Sequence, residues 1–351
     1  WALRLKDTLN GPVNFQVPPP VDQVIPAILD GWIFLVDPPV IDPSPDPLEY
    51  LENDGAVAVD NAISLTDAAS ATMAEVTVEI TAGFVAGEDA LGFVDTALIH
   101  GALSGDGRLL TLTAQPGESP AVADFQAALR TVSYTNSSEN PSTTPRTVTF
   151  TANDGGSVQN LGTGTREIHV TSVNDPPVVV PTAAALAYTE NDGAVAVDAG
   201  IALSDVDNAT FAEVTVEITA GFAAGEDSLG FADTAWIDGT LSGGGRLLTL
   251  TAQAGQNPTA ADFEAALRTV TYANASEAPS GAARVVTFTA NDGQAANTVG
   301  SGTRAIQVTS VNDAPVVVPT AAPLAYTEND GAVAVDPGVS LSDLDNATFV
   351  E

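Results

Sequence analysis

The chain has 351 residues, with 10 Lys plus Arg against 45 Asp plus Glu and a formal net charge of −35. That balance excludes an electrostatic nucleic-acid binder and disfavours anionic membrane surfaces, since both need clustered cations. Cysteine is absent, so neither disulfides nor thiolate zinc can hold the fold, and no apolar run reaches the roughly 18 residues that span a bilayer.

Residues 1–35 are a Pro-rich segment outside any repeat phase, closing on the apolar, strand-like Trp32-Ile33-Phe34-Leu35. From residue 36 the chain is periodic. Tyr50-Leu51-Glu52-Asn53-Asp54-Gly55 returns as Tyr188-Thr189-Glu190-Asn191-Asp192-Gly193 and again as Tyr326-Thr327-Glu328-Asn329-Asp330-Gly331. The spacing is 138 residues each time, about 97 of 138 positions are identical, and no insertion separates the copies. A period of this length is one whole domain rather than a solenoid unit. The expected organisation is 36–173 for the first repeat, 174–311 for the second, and 312–351 for an incomplete third.

Within a copy, short Val-, Thr- and Ile-rich segments separated by Gly, Asn, Asp and Pro predict β-strands joined by turns. In the second copy these are Ala194–Val197, Glu213–Thr219, Ser228–Phe231, Trp236–Leu241, Arg246–Ala252, Arg268–Tyr272, Arg284–Ala290 and Thr303–Val311. Val214-Thr215-Val216-Glu217-Ile218 alternates with period two, so one face turns inward. Thr259 to Leu267 differs: Phe263 and Leu267 are four apart and Thr259 can cap, which predicts one short helix. The fold class expected is all-β, tandem antiparallel sandwiches with one short helix per repeat.

Asp124 to Tyr134, Thr147 to Gly155 and the linker Val173-Asn174-Asp175-Pro176-Pro177 resemble the cadherin-like repeats of very large bacterial surface and secreted proteins. The resemblance covers residues 36–351. It implies tandem β-sandwiches, a secreted or cell-surface location, calcium at the junctions, and roles in adhesion or matrix.

Calcium takes six to eight oxygen ligands, so a site needs acids and carbonyls converging from several segments. Asn174, Asp175, Glu190, Asp205, Asp207 and Asn208 are one candidate set, and Asn312, Asp313, Glu328, Asp343, Asp345 and Asn346 its recurrence. This looks like the cadherin arrangement of a linker Asn-Asp, a Glu and an Asp-x-Asp cluster. The alternative is that these residues are solvated turn chemistry. Near residue 36 the pattern decays, with Val36 for the linker Asn and Asp67-Ala68-Ala69-Ser70 for Asp-x-Asp-Asn, so binding there is expected to be weak or absent. Asn153-Asp154-Gly155 and Asn291-Asp292-Gly293 read as hairpin turns that could lend a ligand. Glu88-Asp89 and Glu226-Asp227 read as exposed loops.

Catalysis finds little support. His100 is matched by Asp238 and His169 by Gln307, so no triad or histidine metal site can be built in both copies. Asn-x-Ser/Thr triplets occur at Asn136, Asn208, Asn274 and Asn346, a short pattern with a high chance rate. The acidity also suits a halophilic surface, where salt screens self-repulsion. A carbohydrate-binding module rests on the sandwich alone, because Trp236 is matched by Leu98. The expected partners are neighbouring repeats of the same chain and a surface receptor or glycan of unknown identity, with no nucleic acid. The incomplete third copy also permits a self-assembling filament or sheath subunit, completed by strand exchange between chains.

Overall fold

The computed structural model describes residues 27–29, 32–34 and 37–349. The expectations placed on the rest of the Pro-rich start lie outside the described residues. Two units divide the chain, Trp1–Val173 and Asn174–Glu351.

Unit 1 begins with β1 (Ala27–Leu29) and β2 (Trp32–Phe34), an antiparallel pair. Four short strands follow: β3 (Val40–Asp42), β4 (Leu48–Leu51), β5 (Val57–Ala58) and β6 (Ser64–Thr66). Next come β7 (Glu75–Ala82), β8 (Asp89–Gly92), β9 (Ile99–Ser104) and β10 (Leu109–Ala114). Helix α1 (Val122–Leu129), β11 (Ser133–Asn136), β12 (Arg146–Asn153) and β13 (Leu161–Thr171) complete the sandwich. A six-stranded sheet is ordered β4-β13-β12-β7-β10-β9 and a three-stranded sheet β5-β11-β8, while β3 pairs with β6. Every pairing is antiparallel except that of β4 with β13.

Unit 2 repeats this plan. It runs β14 (Val178–Val180), β15 (Leu186–Thr189), β16 (Val195–Ala196), β17 (Ala202–Ser204), β18 (Glu213–Ala220), β19 (Asp227–Gly230), β20 (Ile237–Ser242) and β21 (Leu247–Ala252). After helix α2 (Ala260–Leu267) come β22 (Thr271–Asn274), β23 (Arg284–Asn291) and β24 (Val299–Thr309). The third copy contributes β25 (Val316–Val318) and β26 (Ser340–Ser342), paired with each other. The large sheet is ordered β15-β24-β23-β18-β21-β20, with β15 parallel to β24.

The alternation seen in the sequence sets the layers. In β18, Val214, Val216 and Ile218 are fully buried while Thr215 and Glu217 between them are not. They join Tyr272 of β22, Leu203 of β17 and Phe263 and Leu267 of α2 in one core, so the inner faces of all three sheets meet with the helix closing one end. Thr259 caps α2, its Oγ1 accepting from the Asp262 amide while Asp262 accepts from the Thr259 amide at 2.8 Å. In α1 the cap position is Ala121, which has no side-chain acceptor. Gly300 on β24 is dictated by close approach, because a Cβ there would lie 1.6 Å from the carbonyl oxygen of Pro177. Gly162 of β13 meets Pro39 in the same way.

Three strands were not foreseen, β14, β15 and β17, each of three or four residues. The strand expected from Arg268 starts only at Thr271, because Arg268 ends the helix, donating to the Ile201 carbonyl and pairing with Glu264. The exposed loop expected at Glu226-Asp227 is corrected for the aspartate: Asp227 is 2% exposed and meets the fully buried Arg284 at 3.1 Å. Tyr272 donates to the same carboxylate at 2.5 Å and Asn274 Nδ2 at 2.7 Å. Asp89, Arg146, Tyr134 and Asn136 form the same buried quartet in unit 1. Asn136 and Asn274 are therefore structural groups held in the interior, which rules them out as glycan acceptors in the folded chain.

In the third copy, residues equivalent to core residues are open to solvent. Tyr188 is 1% exposed and its counterpart Tyr326 58%; Val197 is 0% and Val335 83%. Among the described residues no helix is long and apolar enough to cross a membrane.

Two outcomes follow from these contacts. Ala121→Thr should stabilise unit 1 by about 1 kcal/mol by supplying the missing cap, read as a higher urea midpoint. Burial alone would raise the Asp227 pKa, but the hydrogen bonds from Tyr272, Arg284, the Ala223 amide and Asn274 hold it below the ordinary value. Its contribution to stability is thus complete above the unfolded carboxylate range of about 4 and is lost as pH falls through the depressed value. Asp227→Asn should flatten the acid limb of a stability–pH curve for unit 2.

Candidate metal centre

In unit 2 the cluster is assembled from the ends of three segments. Strand β15 ends at Thr189, and the next residue, Glu190, continues the parallel ladder by donating its amide to the Thr309 carbonyl at 2.9 Å. Its side chain turns toward the chain leaving β24. Glu190 Oε2 accepts from the Val311 amide at 2.8 Å, and Oε1, on a residue 4% exposed, has no hydrogen-bond partner. Glu277 arrives on the loop after β22, whose start is fixed by Ser276 donating to Asn274 Oδ1 at 2.9 Å. Asp313 arrives two residues beyond Val311. Carboxylate oxygens of Glu190, Glu277 and Asp313 all lie within 4.8 Å of one another.

The third copy supplies the remaining acids. The Asp313 amide donates to Asp345 Oδ2, while Asp343 Oδ1 accepts from the amides of Asp345 at 2.9 Å and Asn346 at 2.8 Å. Asn346 Nδ2 donates to Asn312 Oδ1 at 3.0 Å, and Asn312 donates to the Asp313 carbonyl at 2.8 Å. Loss of water, and then the charges of Asp345, Glu277 and Asp343, push the Asp313 carboxyl above its ordinary pKa. Asp313 Oδ2 also lacks a hydrogen-bond partner. Converging carboxylates without a cation repel one another, and an all-oxygen donor set with no imidazole or thiolate suits a hard divalent ion such as calcium.

The same arrangement recurs at the start of unit 2. The Asp175 amide donates to Asp207 Oδ2 at 2.6 Å, Asp205 Oδ1 accepts from the amides of Asp207 and Asn208, and Asn208 Nδ2 donates to Asn174 Oδ1 at 2.7 Å. Asp292 joins it, accepting from Asn174 Nδ2 at 2.8 Å. Asp205 Oδ2 is buried without a hydrogen bond. In unit 1, Asp67 still accepts from the amides of Ala69 and Ser70 at 2.7 Å, so the turn persists although Ala69 stands where unit 2 has Asp207 and Ser70 where it has Asn208.

The structure regroups the sequence-predicted residues. Asn174, Asp175, Asp205, Asp207 and Asn208 come together, and so do Asn312, Asp313, Asp343, Asp345 and Asn346. Glu190, expected with Asn174 and Asp175, instead faces the linker that follows its own copy. Glu328 is exposed and stands outside the Glu190 cluster; as the counterpart of Glu190 it would face a linker one period later. Glu277 was missed. A signal existed: the loops 137–145 and 275–283 differ at most positions, yet Glu139 and Glu277 coincide.

The two imidazoles lie elsewhere. His100 pairs with Asp95 at 2.8 Å, and His169 with Glu49 and Glu167 at 3.2 and 3.1 Å.

No family model matches the chain, and no curated protein matches it. Among solved structures it is similar to mouse cadherin-23 EC22-24, at 12% identity, covering 88% of this chain and 79% of that one, with a TM-score of 0.36. It is also similar to protocadherin gamma B2 extracellular cadherin domains 1-5, at 16% identity, 88% and 47% coverage and a TM-score of 0.29. Human mucin-like protocadherin EC1-2 is 13% identical over 78% of this chain and 98% of that one, at a TM-score of 0.27.

One substitution reads the uncompensated charge directly. Glu190→Gln keeps an acceptor for Val311 and removes the unpartnered carboxylate, so in EDTA it should raise the calorimetric midpoint of unit 2 by about 3 °C. Added calcium should then raise that midpoint less than in the wild type.

Proposed function

We propose that this chain is part of an extracellular structural or adhesive array, cadherin-like in plan, whose successive repeats are stiffened by calcium. The observation that carries the reading is the cluster of Glu190, Glu277 and Asp313, with oxygens within 4.8 Å and two buried carboxylate oxygens, Glu190 Oε1 and Asp313 Oδ2, left without a hydrogen bond. Glu190 belongs to the second copy and Asp313 to the linker of the third. An ion held by both ties one copy to the next; without it the acids repel and the linker swings. Glu52 and Glu139 stand in the first copy at the places of Glu190 and Glu277.

The role is mechanical rather than catalytic. Both imidazoles occur in the first copy alone and are engaged with acids, so no acid–base pair built on histidine is common to the copies. Such a string holds a distal binding region away from a cell or links it into a matrix, with a receptor or glycan as the target of that region. The filament reading would have the exposed apolar residues of the third copy covered by a second chain instead of by the remainder of a third repeat. The intact mass of the native polypeptide separates the two: near 36 kDa favours the filament, and a value several times larger favours the long array.

Calcium at roughly 0.1–1 mM, the range of extracellular modules, should lengthen the particle and narrow its conformational spread in small-angle scattering of the whole chain. Asp205→Asn with Asp207→Asn should remove much of that response. A scattering curve indifferent to calcium in the wild type would end the reading.

A further inference from the structure

Each sandwich buries an ion pair whose role the core does not explain. Arg284 and Asp227 are at 0% and 2% exposure, and a pair taken fully out of water adds little net stability over apolar residues of the same volume. Both copies nevertheless contain it, with the same tyrosine and asparagine attached.

The quartet's outward contacts lead to the acidic cluster. Asn274 donates Nδ2 to Asp227, its Oδ1 accepts from the Ser276 amide at 2.9 Å, and its own amide donates to Tyr188 Oη at 3.1 Å. Ser276 immediately precedes Glu277, and Tyr188 stands two residues before Glu190. The Tyr188 hydroxyl donates to the Gly193 carbonyl at 3.1 Å, closing the turn that follows Glu190. At the far end of the Glu277 loop, Arg284 Nη1 donates to the Ser280 carbonyl and to that of Ala282 at 2.7 Å. Beside Asp227, the Glu226 carbonyl accepts from the Ala275 amide at 2.8 Å. The loop from Ala275 to Ala283 has no strand or helix of its own and is tied at both ends to the quartet. Between the copies the loop drifts, while Ser276, Glu277, Pro279, Ser280 and all four quartet members stay the same.

We infer that the buried Asp227–Arg284–Tyr272–Asn274 quartet is a positioning device for the cation cluster, holding the Glu277 loop and the Tyr188–Glu190 strand end in one fixed relation so that calcium affinity is set from inside the sandwich. The inference rests on the cation reading above. These are positioning residues, since none of the four belongs to the cluster itself. An ion pair serves where an apolar pair would not, because a guanidinium bonds the carboxylate and two loop carbonyls at once in fixed directions.

The test uses the whole chain, calcium titration by calorimetry, and terbium luminescence lifetimes to count water on the bound ion. Asp227→Leu with Arg284→Met removes both charges together, so no buried charge is left unpaired. It should leave the calcium-free melting midpoint of unit 2 within a few degrees of wild type, yet weaken binding at the second-copy centre roughly 10-fold and add water to bound terbium. The melting transition of unit 1, whose own quartet is untouched, serves as internal control. Tyr188→Phe, a single hydroxyl removed from a residue whose ring stays packed, should weaken binding in the same direction and keeps the test open if the double variant does not fold. If both variants bind calcium as wild type does while Glu277→Gln abolishes binding at that centre, the positioning role is overturned and the cation reading stands. If wild type binds no calcium at millimolar concentration, both fall.

Discussion

One carboxylate and one guanidinium removed from water in each sandwich set the terms for everything around them. Taking such ions into the interior costs several kcal/mol each unless their hydrogen-bonding capacity is filled. Here Asp227 is filled by Tyr272, Asn274, Arg284 and the Ala223 amide, and the Tyr272 hydroxyl is pushed well above the usual tyrosine range by burial and by that carboxylate. These requirements fix where β19, β22 and β23 begin and end, because each contributes a member. They also fix an irregular loop that apolar packing alone would leave free to drift.

A second set of acids has the opposite character. Glu190 and Asp313 each carry an oxygen with no hydrogen bond, in a chain with a formal net charge of −35. The interior acids are balanced by a guanidinium and its companions, whereas Glu190, Glu277 and Asp313 pair with no cationic side chain among the described residues. That contrast separates a carboxylate satisfied by protein groups from one left with a bare oxygen, and composition alone does not draw it. Halophilic acidity would spread charge over open faces; Glu190, Asp198 and Asp227 are buried.

Much of the sandwich was legible because period-two runs such as Val214 to Ile218 are long enough to declare a face, and because Phe263, Leu267 and Thr259 mark a helix and its start. β14, β15 and β17 were not, since three or four residues give no periodicity to read. The Asp227–Arg284 pair spans 57 residues and leaves no local trace; an acid after a glycine reads as loop wherever its partner is out of view. Glu190 was grouped with the linker nearest in sequence, while the amide it binds lies 121 residues on. Parallel pairing of β15 with β24, which no local pattern reveals, is what carries it there. The trace that the two copies do carry is the coincidence of Glu139 and Glu277 in otherwise divergent loops.

That parallel pairing also decides how a copy bears load. β15 lies near the start of the repeat and β24 at its end, four residue pairs in register from Leu186 with Ile306 to Thr189 with Thr309. Tension drawing the two ends of a copy apart pulls β15 backward and β24 forward along their common axis. The bonds of the ladder are then strained together, in shear, instead of opening one after another as in a peeled hairpin. A sandwich closed by such a pair resists tension along its length and gives way as a whole rather than strand by strand.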